Sequence, residues 1–177
     1  EFSTKILPSF MFLKDKRDAE GNLVKVKARL VAGGHLQHGV LSYEKTAPTI
    51  RTEVIFLLLA IAASQRGCNR AGMQVATADV DGAFLLSEVD PAEHVYMALS
   101  PDIVAEIIKQ HVEYRGYTQQ DGRVFVKLKK WLYGCVQAAL QFNKTFTAVM
   151  YKLGFTTNPA YVCVLQRKSE LGTETVG

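Results

Sequence analysis

The sequence predicts an α+β fold in which an antiparallel sheet packs against helices. Segments that alternate apolar and polar residues with a period of two are interspersed irregularly with segments of helical period. Turn sequences typical of hairpins separate some of the strand-like segments. Apolar residues make up 48% of the chain and aromatic residues 10%, which is enough for a hydrophobic core. The irregular order of strands and helices favours this class over a doubly wound sheet.

The N-terminal part predicts a β-hairpin with one basic face. Residues 10–13 form a short strand signal, residues 14–22 a charged turn, and residues 23–32 a strand of period two. Lys25, Lys27 and Arg29 share one face of that strand. On pattern alone, this face is either a solvated outer surface or a surface for anions.

The middle of the chain predicts a helix followed by a strand that ends in a carboxylate. Gly33 and Gly34 break the hairpin, and Thr52 or Thr49 caps a buried helix over residues 53–65 that Gly67 ends. Residues 74–80 then form a β-run that closes at Asp79, and residues 81–86 a turn or short helical start.

In the second half of the chain, segments with a period of two again alternate with segments of helical period. The predicted elements are a strand at 94–99, a helix from Ser100 to about residue 111 with Pro101 at its first position, and a strand at 123–129 after the hairpin-type turn Asp121-Gly122. A break at 132–134 precedes a helix over 137–153 that Gly154 ends. Strand signals follow at 161–166 and at 173–177.

Composition narrows the class of function. The net charge of +4 and the isoelectric point of about 9.0 are compatible with a nucleic-acid partner. The odd set Cys68, Cys135 and Cys163, without a CxxC pair, predicts reduced and buried thiols in an intracellular protein. His35 and His38 have no zinc-ligand neighbours and are expected at the surface. The apolar run 54–63 is too short to span a bilayer, and the polar start predicts no signal peptide.

Asp79 and Asp81 are the carboxylates most suggestive of chemistry. Both could lie on one face of a strand, and carboxylate oxygens suit a hard cation such as Mg²⁺. In the alternative interpretation, Asp79 caps the turn after the strand and Asp81 is solvated. The spacing alone leaves both interpretations open.

Six motifs occur in a recognisable order. They are residues 27–34 (Lys-Ala-Arg-Leu-Val-Ala-Gly-Gly), 47–51 (Ala-Pro-Thr-Ile-Arg), 79–85 (Asp-Val-Asp-Gly-Ala-Phe-Leu), 95–97 (Val-Tyr-Met), 128–134 (Leu-Lys-Lys-Trp-Leu-Tyr-Gly) with Gln137-Ala138, and 153–155 (Leu-Gly-Phe). In this order they resemble the reverse transcriptase of copia-type (Ty1-like) LTR retrotransposons. The resemblance covers about residues 14–176.

The resemblance implies the fingers and part of the palm of a right-hand polymerase, which copies RNA into DNA by two-metal nucleotidyl transfer. The implied division is fingers at 1–72, palm at 73–111, fingers and palm at 112–135, and palm at 136–177. It assigns Asp79, with Val80 beside it, to the catalytic Mg²⁺ site. Phe84 becomes the aromatic that selects deoxynucleotides by excluding a 2′-hydroxyl, the alternative being a core aromatic.

The resemblance also implies contacts with the substrates, which are a dNTP and an RNA or DNA template-primer. Lys27 and Arg29 would hold the triphosphate. Arg51 would contact template or nucleotide, and Tyr133 and Gly134 would line the nucleotide pocket.

Several positions depart from the family pattern. Residues 137–142 read Gln-Ala-Ala-Leu-Gln-Phe, so the usual Pro is missing and Phe142 stands where a Trp is usual; Ala160 stands after Asn158-Pro159 where an Asp is usual. The Val-Asp-Asp motif, with the other two metal carboxylates, does not appear. We therefore expect a piece of a polyprotein that is inactive alone.

Two alternatives remain open: a truncated or domesticated module that binds nucleic acid or protein without catalysis, and a sequence with no retained role. An unpaired sheet edge also predicts a possible homo-oligomer. The expected location is a cytoplasmic particle or the nucleus.

Overall fold

A computed structural model of the chain describes residues 6–36, 46–65, 74–170 and 172–177. These described residues form two compact units: those within 1–46 and 83–142 make up the first, and those within 47–82 and 143–177 the second. The predictions for His38, Gly67 and Cys68 lie outside the described residues. The α+β class is confirmed, because strands and helices are mixed in the described part of the chain.

The first unit contains a four-stranded sheet. Its strands are β1 (Ile6–Arg17), β2 (Leu23–Ala32), β3 (Tyr96–Leu99) and β4 (Val124–Lys127), in the order β2-β1-β3-β4. The β1–β2 and β3–β4 pairs are antiparallel, but β1 and β3 are parallel over Ile6–Pro8. The sheet is therefore mixed rather than wholly antiparallel as predicted.

The β1–β2 hairpin is longer than the sequence pattern indicated. The predicted turn at 14–22 was too long, because β1 runs to Arg17 and only residues 18–22 form the turn. Asp18 holds that turn: its Oδ1 accepts hydrogen bonds from the backbone N–H of Glu20 and Asn22. These bonds to the ionised form lower the pKa of Asp18. Residues 10–29 are all exposed, so the hairpin projects into solvent.

The core of the first unit lies where the sheet meets the helix α2 (Pro101–Gln110). Its buried side chains are Leu7, Ala32, Val89, Met97, Leu99, Val104, Val124, Trp131, Cys135 and Ala138. The predicted start of α2 is confirmed, with Ser100 in extended conformation and Pro101 after it. No side-chain cap bond forms at Ser100, whose N–H is instead bonded to Ser9 Oγ at 3.0 Å.

Two segments of this unit, a 3₁₀ helix and a turn, differ from the prediction. A 3₁₀ helix over Val112–Tyr117 follows α2 and was not predicted. The Asp121-Gly122 turn has Gly122 at φ +80°, but it joins that 3₁₀ helix to β4 instead of joining two strands. The predicted strand 123–129 is confirmed for its central part, Val124–Lys127.

The second unit contains α1 (Thr52–Gln65), the larger part of α3 (Ala138–Lys152) and a three-stranded antiparallel sheet. The strands are β5 (Thr156–Thr157), β6 (Leu165–Ser169) and β7 (Gly172–Val176), in the order β5-β6-β7. Met150, Phe155 and Leu165 form its buried cluster. The helix predicted over 137–153 and the strand predicted at 173–177 are confirmed within one or two residues.

Three predictions about the second unit are wrong in part. α1 was predicted to be buried, yet among its residues whose side chains the structure describes only Val54 and Ala62 are buried, and five large apolar side chains are exposed. The Arg51 carbonyl accepts the N–H of Ile55 at 3.2 Å, so the helix begins after Arg51 and not after a threonine cap. The strand predicted at 161–166 begins at Leu165, because Asn158 Oδ1 accepts the N–H of Ala160 and Tyr161 and holds a turn there.

The predicted strand at residues 74–80 is not formed. These residues are exposed and have no strand pairing among the described residues. A β-prone run becomes a strand only when a neighbouring strand accepts and donates its ladder hydrogen bonds. No described strand takes that position beside residues 74–80.

Candidate functional site

The base of the β1–β2 hairpin is joined to the Tyr133-Gly134 segment through the backbone. The Ala32 N–H donates to the Tyr133 carbonyl at 2.8 Å. Gly134 has φ +89°, and a methyl group on it would overlap the Ala32 carbonyl oxygen and lie 2.6 Å from Val31 Cγ1. A methyl group on Gly34 would in turn overlap the Gly134 carbonyl oxygen. The glycines are therefore required for this close approach of two backbone segments.

Phe84 lies against the same segment. It is part of a 3₁₀ helix over Ala83–Leu86, as the predicted short helical start at 81–86 indicated. Its ring centroid is 4.5 Å from that of Tyr133 at an interplanar angle of 57°, and 6.3 Å from that of Phe142 in an edge-on contact. Phe84 is half-buried and Tyr133 is 39% exposed, so the aromatic cluster has one face towards solvent.

A buried tryptophan helps to hold the segment that carries Phe84. Trp131 is 1% exposed, and its Nε1–H donates to the Glu88 carbonyl at 3.1 Å. The Trp131 N–H donates to Ser87 O and the Val89 N–H donates to Lys129 O, both at 3.0 Å. These bonds fix residues 129–131 beside residues 87–89, and so fix the 3₁₀ helix that carries Phe84.

Cys135 follows the Tyr133-Gly134 turn and is buried, whereas Cys163 is half-buried. Burial raises the pKa of the Cys135 thiol, because the thiolate is the charged form. The prediction of buried thiols is therefore confirmed for Cys135 and wrong for Cys163. The raised pKa argues against a nucleophilic role for Cys135.

The strand register of the hairpin brings together more cations than the sequence pattern suggested. Lys27 lies opposite Lys14, Lys25 opposite Lys16, and Arg29 opposite Phe12. Residues directly opposite in an antiparallel pair share a face, and so do alternate residues along each strand. Lys14 and Lys16 were missed because the wholly charged segment 14–17 was interpreted as part of a turn, although β1 continues through it.

The carboxylates do not form a recognisable metal centre. Asp79 and Asp81 are both exposed, with Val80 between them, and the described residues contain no group of three His, Cys, Asp or Glu side chains that could hold a metal ion. The expectation that Asp79 and Asp81 share one face of a strand is therefore wrong, since that strand is not formed. Arg51 is exposed and precedes α1 in the same unit as Asp79.

The structure thus brings together Phe84, Tyr133 and Gly134, which adjoin the base of the strand that carries Lys27 and Arg29. Phe142 also belongs to the cluster, although the sequence marked it only as a departure from a family pattern. Asp79, Val80 and Arg51 are in the other unit.

Comparison with known proteins gives the family. The family model described as "Reverse transcriptase (RNA-dependent DNA polymerase)" matches residues 3–174. The chain belongs to the reverse transcriptase family. Two curated relatives from Arabidopsis thaliana are "Retrovirus-related Pol polyprotein from transposon RE1", 29% identical over 156 residues, and its RE2 counterpart, 28% identical over 156 residues. They confirm that the chain is of the copia type.

Both alignments cover 86% of the chain but only 9% of each relative. The chain therefore spans a small part of the length of these curated polyproteins. No solved structure matches the chain. Among the described residues, no helix is long and apolar enough to cross a membrane.

Proposed function

We propose that the chain supplies the nucleotide-binding part of an RNA-directed DNA polymerase within a copia-type polyprotein. The observation that carries this proposal is the aromatic cluster of Phe84 and Tyr133, held by Gly134 at the base of the basic hairpin. The cluster offers an apolar surface to a sugar and a base, and the hairpin offers cations to phosphates. Both are required to bind a dNTP against a template.

In this proposal each residue has a distinct task. Lys27 and Arg29 neutralise the triphosphate, Tyr133 stacks on a base, and Gly134 allows the backbone to approach it. Phe84 occupies the space that a 2′-hydroxyl would need, and Arg51 contacts template or nucleotide. The division into fingers and palm, and the location in a cytoplasmic particle or the nucleus, stay predictions.

The residues present do not by themselves fit the Mg²⁺ centre that the family implies. Asp79 offers one exposed carboxylate and Val80 a neighbouring backbone carbonyl, whereas Mg²⁺ demands octahedral geometry and gives up its water reluctantly. We assign no catalytic step to this chain alone. Asp79 is proposed as one metal ligand of a more complete polymerase.

Primer extension tests the proposal. The 177-residue chain, with an RNA template, a DNA primer, dNTPs and Mg²⁺, is expected to give no product. In a polyprotein that contains this segment, Asp79→Asn is expected to abolish extension, and the matched Asp81→Asn to retain it. Equal extension by both variants would refute the role of Asp79.

The same polyprotein tests the aromatic cluster. Phe84→Val is expected to raise incorporation of ribonucleotides relative to deoxynucleotides, because the smaller side chain leaves room for a 2′-hydroxyl. Leu85→Val, at the neighbouring exposed position, is the control. An unchanged ratio in Phe84→Val would leave Phe84 as a packing residue only.

A non-catalytic binding module is the second candidate. The described residues contain both strands of the basic hairpin but no group of three His, Cys, Asp or Glu side chains that could hold a metal ion. This combination favours a binding module. If Asp79→Asn leaves primer extension by the polyprotein unchanged and the chain still binds nucleic acid, the second function is favoured over the first.

A further inference from the structure

The 3₁₀ helix that carries Phe84 is fixed more by the residues after it than by its own burial. None of its four residues is buried, and the Phe84 ring has its aromatic contacts with Tyr133 and Phe142. Ser87 and Val89, which follow the helix, are 1% and 6% exposed. The position of the ring therefore depends on the bonds that fix residues 87–89.

Those bonds come from a very short pairing. Glu88 lies opposite Lys130 in an isolated antiparallel bridge, flanked by the two backbone bonds of residues 87–89 with residues 129–131. The Trp131 Nε1–H adds a side-chain bond to the Glu88 carbonyl at 3.1 Å. A strand in a ladder shares its load over many backbone bonds. In an isolated bridge, one side-chain bond is a large share of what holds the two segments together.

Trp131 is connected to both members of the Phe84–Tyr133 ring pair. On one side its N–H donates to the Ser87 carbonyl at 3.0 Å, and the Ser87 N–H donates to the Phe84 carbonyl at 3.2 Å. On the other side Tyr133 follows two residues later in the chain, and its carbonyl accepts the Ala32 N–H. A shift of Trp131 would therefore change how the Phe84 ring lies against Tyr133.

The simpler explanation of Trp131 is that it fills the core. It is 1% exposed and belongs to the buried cluster of the first unit, where an apolar ring of similar size would also fit. A buried indole, however, needs an acceptor for its N–H. Here the acceptor is the carbonyl of Glu88, on the segment that follows Phe84. The tryptophan thus supplies a directed bond in addition to apolar burial.

We propose that Trp131 is a positioning residue for sugar selection, whose indole N–H holds Phe84 where its ring excludes a 2′-hydroxyl. Trp131 itself touches neither the sugar nor the reacting atoms. The inference rests on the proposed function, in which Phe84 occupies the space of the 2′-hydroxyl. Steric exclusion depends on position, and a displacement of about 1 Å is enough to change the rate of an enzyme strongly.

Single-nucleotide incorporation by a polyprotein that contains this segment tests the inference. Trp131→Phe is expected to raise the ratio of kcat/KM for a ribonucleotide to that for the deoxynucleotide about 2- to 10-fold, the range for loss of one hydrogen bond. The control is Val104→Ala, at a position 3% exposed in the same core, which leaves the indole bond in place. It should lower Tm and leave the ratio unchanged.

The two proposals fail in different ways. If Phe84→Val raises the ratio and Trp131→Phe does not, the role of Trp131 is overturned and that of Phe84 stands. If neither variant changes the ratio, both roles are overturned. A change of equal size in Val104→Ala and Trp131→Phe would show a general effect of core damage and would also refute the role of Trp131.

A double variant shows whether Trp131 acts through Phe84. Phe84→Val/Trp131→Phe should have the same ratio as Phe84→Val alone, because a ring that is no longer present cannot be displaced. If the two effects multiply instead, Trp131 acts by another route and the inference is wrong.

An isostere separates the bond from the packing. Benzothienylalanine at position 131 keeps the shape of tryptophan, but a ring sulfur replaces the N–H, so the ratio should rise as in Trp131→Phe. A wild-type ratio would mean that packing alone matters and would overturn the inference. In hydrogen-exchange mass spectrometry of the 177-residue chain, this replacement should speed exchange in residues 83–89 and leave α2 as in the wild type. Unchanged exchange in residues 83–89 would contradict the positioning role.

Discussion

Gly134 adopts a φ of +89° where an added methyl group would overlap the carbonyl oxygen of Ala32 and lie 2.6 Å from Val31 Cγ1. Any other residue would meet both strain from the left-handed conformation and overlap with the end of β2. At this position the chemistry of one residue therefore controls how the hairpin is attached to the aromatic cluster.

Gly134→Ala is predicted to destabilise the protein by about 2–5 kcal/mol, from backbone strain and from overpacking. Urea denaturation followed by circular dichroism measures this loss. The control is Gly116→Ala: nothing lies within 4 Å of a methyl group there, so the midpoint should change little. An unchanged midpoint in Gly134→Ala would mean that the hairpin base is not joined to this segment.

The sequence could predict a special backbone at Gly134, because a glycine after an aromatic and before an apolar run is typical of a break. It could not predict the partner, which is distant in sequence and is found only when the chain folds. The same is true of Phe142. Its helical position was evident, but its contact with Phe84 depends on where α3 lies beside a 3₁₀ helix.

At the scale of elements, the end of α3 shows how local signals and tertiary contacts combine. Gly154 has φ +85°, the Phe155 N–H donates to Met150 O, and the Gly154 N–H donates to Tyr151 O, both at 3.0 Å. This is a Schellman motif with its usual apolar contact between Met150 and Phe155. Arg167 then adds a hydrogen bond from β6 to the Leu153 carbonyl at 2.8 Å.

Arg167→Met is predicted to lower Tm by about 2–6 °C, because it removes the bond to Leu153 and the stacking of the guanidinium 4.7 Å above the Phe155 ring. Differential scanning calorimetry measures the shift. The matched control is Lys168→Met, an exposed neighbour on the same strand, which should leave Tm nearly unchanged. Equal shifts in both variants would contradict the capping role.

The same arginine sets a pH dependence. Its hydrogen bond to Glu174 lowers the pKa of that carboxyl below its ordinary value. A depressed pKa contributes stability that is present above the unfolded pKa and is lost as the pH falls through the folded pKa. The Tm of Arg167→Met is therefore expected to fall less than that of the wild type when the pH is lowered through the pKa of Glu174. Lys168→Met is expected to show the same decrease in Tm as the wild type.

Elements with strong local signals were predicted well, and elements that depend on a partner were not. α2 has its start signal in Ser100-Pro101 and α3 its stop signal in Gly154, so both were predicted within about two residues. The sequence of residues 74–80 also favours a strand, but these residues have no partner strand among the described residues. Propensity alone therefore led to a wrong prediction of a strand there. The expectation that Asp79 ends a strand was wrong for the same reason, whereas its role as a metal ligand stays a prediction.

At the scale of the whole molecule, α1 presents the largest mismatch between composition and exposure. Its residues from Val54 to Ala63 carry no charge, and Phe56 is 65% exposed. Ile55, Leu57, Leu59 and Ile61 are exposed as well. A helix that is apolar on every side is normally buried, and exposed apolar surface of this extent marks a surface for association or a liability for aggregation.

The isolated chain is therefore predicted to self-associate through α1, with an apparent mass in sedimentation velocity that rises with protein concentration. Phe56→Lys should reduce this association without lowering Tm, because the side chain is mostly solvent-exposed in the monomer. The sequence also predicted association through an open sheet edge, and β7 is such an edge. Thr173→Lys places a charge on β7 and should leave association unchanged if α1 is the surface. If Thr173→Lys gives a monomer and Phe56→Lys does not, the sheet edge is the correct surface and α1 is not.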